Sequence, residues 1–252
     1  MVRSASNRES SLRHGVLSCF NCHSRCRTPF RDMGAAELEL FNFRKTAHEY
    51  RAHQTILYEG NPCLGVYCVE SGTIAIKRTD GNGDQRTTRL CQQGETIGYR
   101  SFVMKGPYLE TAEAISNSRV CFVPNDMLEK LIERSATLAN RLLEQLAEEA
   151  EELEHQLLSH RSLSVRARLA QLLFELKDRF GDVDDEGAIH IELPISRSDI
   201  SELIGARPES LSRAIRELEH PVVVRFDGRH VVIPDLDAVM DEFEGAPWSP
   251  SI

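Results

Sequence analysis

Seven cysteines stand in this 252-residue chain, and three of them, Cys19, Cys22 and Cys26, share one stretch of eight residues. Thiolates are soft donors, and an irregular loop can turn several closely spaced sulfurs toward one centre. That suits an iron–sulfur cluster or a zinc ion. His23, inside the loop, adds an imidazole that favours zinc slightly. Thiol or disulfide redox sensing is the remaining chemistry for the same residues. Cys121 closes the run "SRVCFVP", while Cys63, Cys68 and Cys91 lie in strand-like segments. A free Cys in such a segment usually behaves as a small buried hydrophobe.

A second set of residues has the chemistry to read base edges. From Arg207-Pro208 onward, Leu211, Ile215 and Leu218 recur at helical spacing, which leaves Glu209, Ser212, Arg213 and Arg216 on the opposite face. A guanidinium forks onto guanine O6 and N7, a carboxylate accepts from cytosine N4, and a hydroxyl serves either base. Arg197, at the start of the preceding helix, joins this basic face.

The elements around that face read as a winged helix-turn-helix. Ser196 caps a short helix through Ile204, and Gly205 is placed to end it. Pro208 opens the next helix at a first-turn position, where its missing N–H costs nothing. Strands at Val222–Arg225 and His230–Ile233, turned at Asp227-Gly228, supply the wing. Upstream, residues 48 to 124 alternate apolar and polar positions between Gly, Asn, Asp and Pro turns, including Arg86–Leu90 and Val120–Val123. Closely spaced turns of this kind predict an antiparallel β-roll.

Between the two lies a helix from about Ser135 to His160. Ala139, Leu143, Leu146, Ala150, Leu153, Leu157 and His160 alternate at spacings of four and three, a seam suited to a parallel two-stranded coil. A homodimer follows, because a helix-turn-helix reading a two-fold site needs two copies about one DNA turn apart. With Leu143 at position a, Glu149 at g and the following Glu154 at e are expected to face each other across the dimer. Each pair would repel by on the order of a few tenths of a kcal/mol. Such a seam is marginal, so a packing change relayed from the cysteine segment is expected to tip association.

The net charge is −9, yet its distribution matters more than its sum. Six glutamates lie between Glu144 and Glu154, away from the reading face. Arg161, Arg166, Arg168, Arg197, Arg207, Arg213, Arg216, Arg225 and Arg229 concentrate toward the C-terminus, where they can meet phosphates. No run of 18 apolar residues exists, and Met1 to Ser18 has no apolar leader core. The expectation is a cytoplasmic protein without membrane contact or a disulfide framework. No G-x-S-x-G, P-loop or G-x-G-x-x-G stands in a fitting context, so an enzyme is not expected.

The segment "ISRSDISELIGARPESLSRAIREL" resembles the DNA-binding motif of the CRP/FNR superfamily, and Glu209-x-x-Ser212-Arg213 is similar to the FNR branch. The resemblance implies a cyclic-nucleotide-binding-type β-roll, a long dimerisation helix and a C-terminal winged helix-turn-helix, an α+β architecture. It also implies a site related to TTGAT-N4-ATCAA, with Arg213 reading the half-site guanine. Val222 stands where the family usually has Gly before the wing. In the FNR branch, three N-terminal cysteines and one in a V-C-x-x-P context hold an oxygen-sensitive [4Fe-4S] cluster. By resemblance these are Cys19, Cys22, Cys26 and Cys121, although three residues separate Cys22 from Cys26 where the branch has five. That shorter loop suits a cubane or a zinc ion. Cyclic-nucleotide members use a Gly-Glu pair and an Arg-Ser or Arg-Thr. Here "GETIGYRSFVMKGPYLETAEA" gives Tyr99-Arg100 and Leu109-Glu110-Thr111 instead, so no cyclic nucleotide is expected. The exposed loop Thr79–Gln85 resembles the family's activating surface, which implies RNA polymerase as a partner. The resulting divisions are 1–37 cysteine segment, 38–134 roll, 135–163 dimerisation helix, 164–239 winged helix-turn-helix and 240–252 tail.

Overall fold

The computed structural model of the chain describes residues 18–243. Readings that rest on residues 1–17 and 244–252, the leader region and the end of the tail, lie outside the described residues.

Alternating apolar residues build eight short strands between Thr46 and Pro124. They are β1 (Thr46–Tyr50), β2 (Thr55–Leu57), β3 (Gly65–Ser71), β4 (Ile74–Thr79), β5 (Gln85–Cys91), β6 (Thr96–Ile97), β7 (Thr111–Ala114) and β8 (Ser118–Pro124). Helix α1 (Ala35–Arg44) precedes them, and α2 (Tyr99–Val103) lies between β6 and β7. Two four-stranded sheets result, ordered β1-β8-β3-β6 and β2-β7-β4-β5, with every pairing antiparallel. Val69, Ile74, Ile76, Ile97, Ala112 and Val120 fill the space between them and are fully buried. Removing such side chains from water is what holds a two-layer roll together.

Helix α3 (Asn125–Arg134) leads into α4 (Ala136–Ser162), whose N-cap Ser135 accepts a hydrogen bond from the Leu138 N–H. Leu138 and Leu142 bury themselves against Phe30, Phe41 and Leu131. Farther along, Leu143, Leu153 and Leu157 stay 52–62% exposed, so the expected seam is an uncovered apolar stripe on the single chain. One seam expectation needs correction. Glu149 does not face outward at a coil flank but turns back onto its own roll, where the Tyr99 hydroxyl donates to it. A g position borders the seam, and its long side chain takes whichever neighbour offers cations.

The C-terminal unit comprises α5 (Val165–Phe180), β9 (Gly181–Val183), β10 (Ile189–Glu192), α6 (Arg197–Leu203), α7 (Pro208–Glu219), β11 (Arg225–Asp227), β12 (His230–Ile233) and α8 (Leu236–Asp241). Its sheet runs β11-β12-β10-β9. The wing begins three residues later than the sequence suggests, at Arg225. The Val223 and Val224 N–H groups turn back to the Leu218 carbonyl at 2.9 and 3.2 Å, which takes them out of the ladder. The ordered core also continues past Val239, since Phe243 is 6% exposed and packs edge-on to Phe174 at 5.6 Å. This unit shares its core with the roll: Ala75 and Leu90 belong to the same buried cluster as Ile200, Leu211 and Val231.

Candidate functional site

Helix α6 starts where the sequence places it. The Ser196 hydroxyl accepts from the Asp199 N–H, while the Asp199 carboxylate accepts from the Ser196 N–H at 2.9 Å, a reciprocal capping box. These contacts hold the Asp199 carboxyl below the usual range, against the opposing effect of burial. The turn to α7 passes through Gly205 at φ +59°, the left-handed region. A Cβ there would also stand 2.5 Å from the His160 ring of α4. Beyond it, Leu211, Ala214, Ile215 and Leu218 are buried, so packing fixes the rotation of α7 about its axis.

That rotation leaves Glu209, Ser212, Arg213 and Arg216 exposed on one face. Ser212 donates to the Pro208 carbonyl at 2.9 Å, and Arg216 donates to the Ser212 carbonyl at 3.3 Å. Arg197, Arg207, Arg225 and Arg229 are exposed as well. Arg166 and Arg168 are committed inward instead, to Glu242 and to the His160 carbonyl. Two side chains of α6 dock on the roll. The Thr87 N–H donates to Glu202 at 2.8 Å, and the Thr87 hydroxyl donates to Asp199 at 3.0 Å.

The cysteine segment folds into short 3-10 turns against β3 and β8. The Cys19 N–H donates to Asn42, the Ser24 hydroxyl donates to the Glu70 carbonyl, and Arg25 donates to the carbonyls of Cys19 and Arg31. Phe30, 1% exposed, stacks at 4.7 Å on Phe41 and roots the segment in the core. Cys19, Cys22 and Cys121 thereby line one cavity of about 30 Å³, room for roughly two waters. Cys68 lines it too, because β3 and β8 pair in a register that sets Cys68 directly opposite Cys121.

Cys26 is not brought into this group. Its side chain is exposed and its thiol donates to the His23 carbonyl at 2.8 Å. The sequence also gave no sign of Lys45, whose ammonium donates to Cys121 Sγ at 3.7 Å and hydrogen-bonds to Cys19. Glu70 accepts from the Cys121 thiol at 3.7 Å and lies 3.3 Å from the Arg119 guanidinium. Burial pushes Cys121 up to about 11, with Lys45 pulling the other way. Burial raises Cys19 as well, and lifts Cys68 well above the ordinary thiol range. Burial thus favours the thiol over the thiolate at Cys19, Cys68 and Cys121.

The donor chemistry suits a soft metal centre, but the placement does not fit one. Among the described residues, no three thiol, imidazole or carboxylate groups surround a common point closely enough to hold a metal ion. Cys26 faces outward, and Lys45 takes the contacts that a centre would need from Cys19 and Cys121.

In the roll, Arg100 is bound to Glu110, which is 2% exposed. The exposed β4–β5 turn is built on Asp80, whose carboxylate accepts from the Asn82 and Asp84 N–H groups at 2.9 and 3.1 Å.

Two family models match the chain: the cyclic nucleotide-binding domain over residues 47–135 and the Crp-like helix-turn-helix domain over residues 167–241. An anaerobic regulatory protein of Pasteurella multocida is 23% identical over 90% of this chain and 82% of its own length. A CRP-like cAMP-activated global transcriptional regulator of Mycobacterium tuberculosis is 26% identical over 73% of this chain and 82% of its own. The structure of FixK2 from Bradyrhizobium japonicum superposes with a TM-score of 0.68 at 25% identity, covering 82% of this chain and 99% of that one. Among the described residues no helix is long and apolar enough to cross a membrane. A roll, a connecting helix and a winged helix-turn-helix in this order, matched by both domain models, place the chain in the CRP/FNR family of DNA-binding transcription regulators, which are not enzymes.

Proposed function

We propose that the protein is a homodimeric, oxygen- or redox-responsive regulator, acting in the cytoplasm on an FNR-type two-fold DNA site. The observation that carries this is that Cys121, distant in sequence from Cys19 and Cys22, lines one cavity with them. That cavity abuts the Phe30 anchor, which packs against α4. Arg141 of α4 also meets Asp32 at 2.8 Å, so the cysteine segment touches the dimerisation helix directly. A change at the sulfurs therefore has a short mechanical route to the seam.

The resemblance implies a [4Fe-4S] cluster on Cys19, Cys22, Cys26 and Cys121. That arrangement requires the 3-10 turn His23–Arg27 to unwind so that Cys26 turns inward. A thiol-only reading is favoured by the Lys45 contacts and by Cys68 opposite Cys121. Zinc is the third occupant the donors suit. Anaerobic purification followed by iron, sulfide and zinc analysis decides. Iron with acid-labile sulfide and a colour that bleaches in air supports the cluster, and colourless protein with zinc supports the metal alone. Metal-free protein whose free-thiol count falls on oxidation supports the thiol reading. If no metal is found and the thiols ignore oxidant, the redox signal is wrong.

The DNA face has its own test. Arg213 is exposed on a helix whose rotation is fixed by packing, and its proposed partner is the half-site guanine. Arg213→Ala is expected to cost about 1–3 kcal/mol per half-site and to relax preference at that base pair alone. Uniform weakening across sequences, read by fluorescence anisotropy on substituted duplexes, would make Arg213 a phosphate contact. No cyclic nucleotide is required in this reading, since its phosphate would meet Glu110. The exposed turn around Asp80 is the surface offered to RNA polymerase.

A further inference from the structure

The middle of α4 sends one carboxylate into the roll. Glu149 accepts from the Tyr99 hydroxyl, lies 3.2 Å from Arg100 Nη1 and lies 3.7 Å from Arg89 Nε. Its side chain is 14% exposed and Tyr99 is 2% exposed, so the contact sits out of water. The same two guanidiniums meet Glu110 and Glu95 on the roll itself. Arg89 Nε and Nη2 and Arg100 Nε are nevertheless buried with no hydrogen-bond partner. The cradle thus offers more donors than its residents use, and donors of this type bind carboxylates in paired geometry.

We propose that this part of the roll is a carboxylate-binding site whose occupant is the chain's own Glu149. Helix α4 supplies on a covalent tether the anion that a ligand-dependent roll takes from solution. The roll is therefore clamped to α4 by a contact that needs no small molecule. Breaking a buried pair leaves uncompensated charge behind, so the clamp is specific to the carboxylate rather than to the shape of the side chain. This inference does not depend on what the cysteines hold.

The test uses the full chain with Glu149→Ala and Glu149→Gln, with circular dichroism to show that each folds. Thermal midpoint and binding to a duplex carrying the TTGAT/ATCAA inverted repeat are measured in sodium acetate and in sodium chloride at equal ionic strength. Both variants are expected to melt earlier and to lose about 5–150-fold in duplex affinity, the usual range for coupling between sites. Acetate, entering the space left in Glu149→Ala, is expected to restore part of both losses. Chloride should not, and acetate should do nothing for wild type or for Glu149→Ala combined with Arg100→Ala. An Ala variant indifferent to acetate overturns the proposal, as does a Gln variant that matches wild type. Should the Ala variant not fold, the Gln variant decides alone. The thermal midpoint reads the helix–roll contact itself, so the result stands even if the duplex is the wrong DNA.

Discussion

Phe30→Ala is expected to destabilise the described fold by about 3–5 kcal/mol, the range for deleting a fully buried aromatic ring. Phe30 is 1% exposed and packs on Phe41, with Leu138 and Leu142 of α4 in the same cluster. It is also the only fully buried large side chain between Cys19 and Asp32. Its loss should therefore do two things at once. The cysteine segment should lift from β3 and β8, and α4 should lose the face that touches it. Chemical denaturation gives the first number. Native-state alkylation followed by mass spectrometry gives the second, with Cys19 changing from protected to reactive. Phe20→Ala, 50% exposed on the same segment, should change stability by only about 0.5 kcal/mol. Protection of Cys19 that survives Phe30→Ala would show that the hydrogen bonds from Cys19, Ser24 and Arg25 hold the segment alone.

Replacing Leu153 and Leu157 together by Glu should leave a monomer that no longer grips a two-fold site. Both are about half exposed on the isolated chain, on the stripe that begins at Leu143. Covering the exposed half of one Leu contributes about 0.8–1.5 kcal/mol. A two-fold axis doubles each substitution, so four lost leucines remove about 3–6 kcal/mol of association energy. Sedimentation should show the monomer at concentrations where wild type is dimeric, and anisotropy should show loss of the full site. A double variant that stays dimeric would place the interface on another surface. Glu149 no longer belongs among the residues that weaken this seam, because its carboxylate is held by the roll. Only Glu154 of that pair remains exposed beside it.

The reading helix was legible because its signals are local. Ser196, Gly205 and Pro208 mark caps and a turn within a few residues of what they control, and the apolar spacing of α7 fixes its buried face. The roll was legible as alternation between turns. What the sequence could not display was anything set by register between distant strands. Cys68 meets Cys121 only because β3 pairs with β8 as it does. Lys45 enters the sulfur pocket only because α1 ends beside that pair. Cys26 shows the converse: close spacing in sequence did not bring its sulfur inward, since the 3-10 turn at His23–Arg27 rotates it away. Glu149 failed for a related reason. A heptad describes a helix against its twin and says nothing of a third neighbour. The end of the last domain was missed because "FEG" carries no periodic pattern, while Phe243 earns its place through Phe174.

The continuous core joining Ala75 and Leu90 to Ile200, Leu211 and Val231 limits how this protein can be taken apart. Thr87 is bonded to both Glu202 and Asp199 across the same boundary. The reading unit is thus not an interchangeable cassette. A chimera that grafts residues from 164 onward onto a foreign roll would expose greasy surface and strand two carboxylates, unless β4 and β5 travelled with it. Recombination within such a family should therefore preserve the strand pair and the helix-turn-helix as one inherited block.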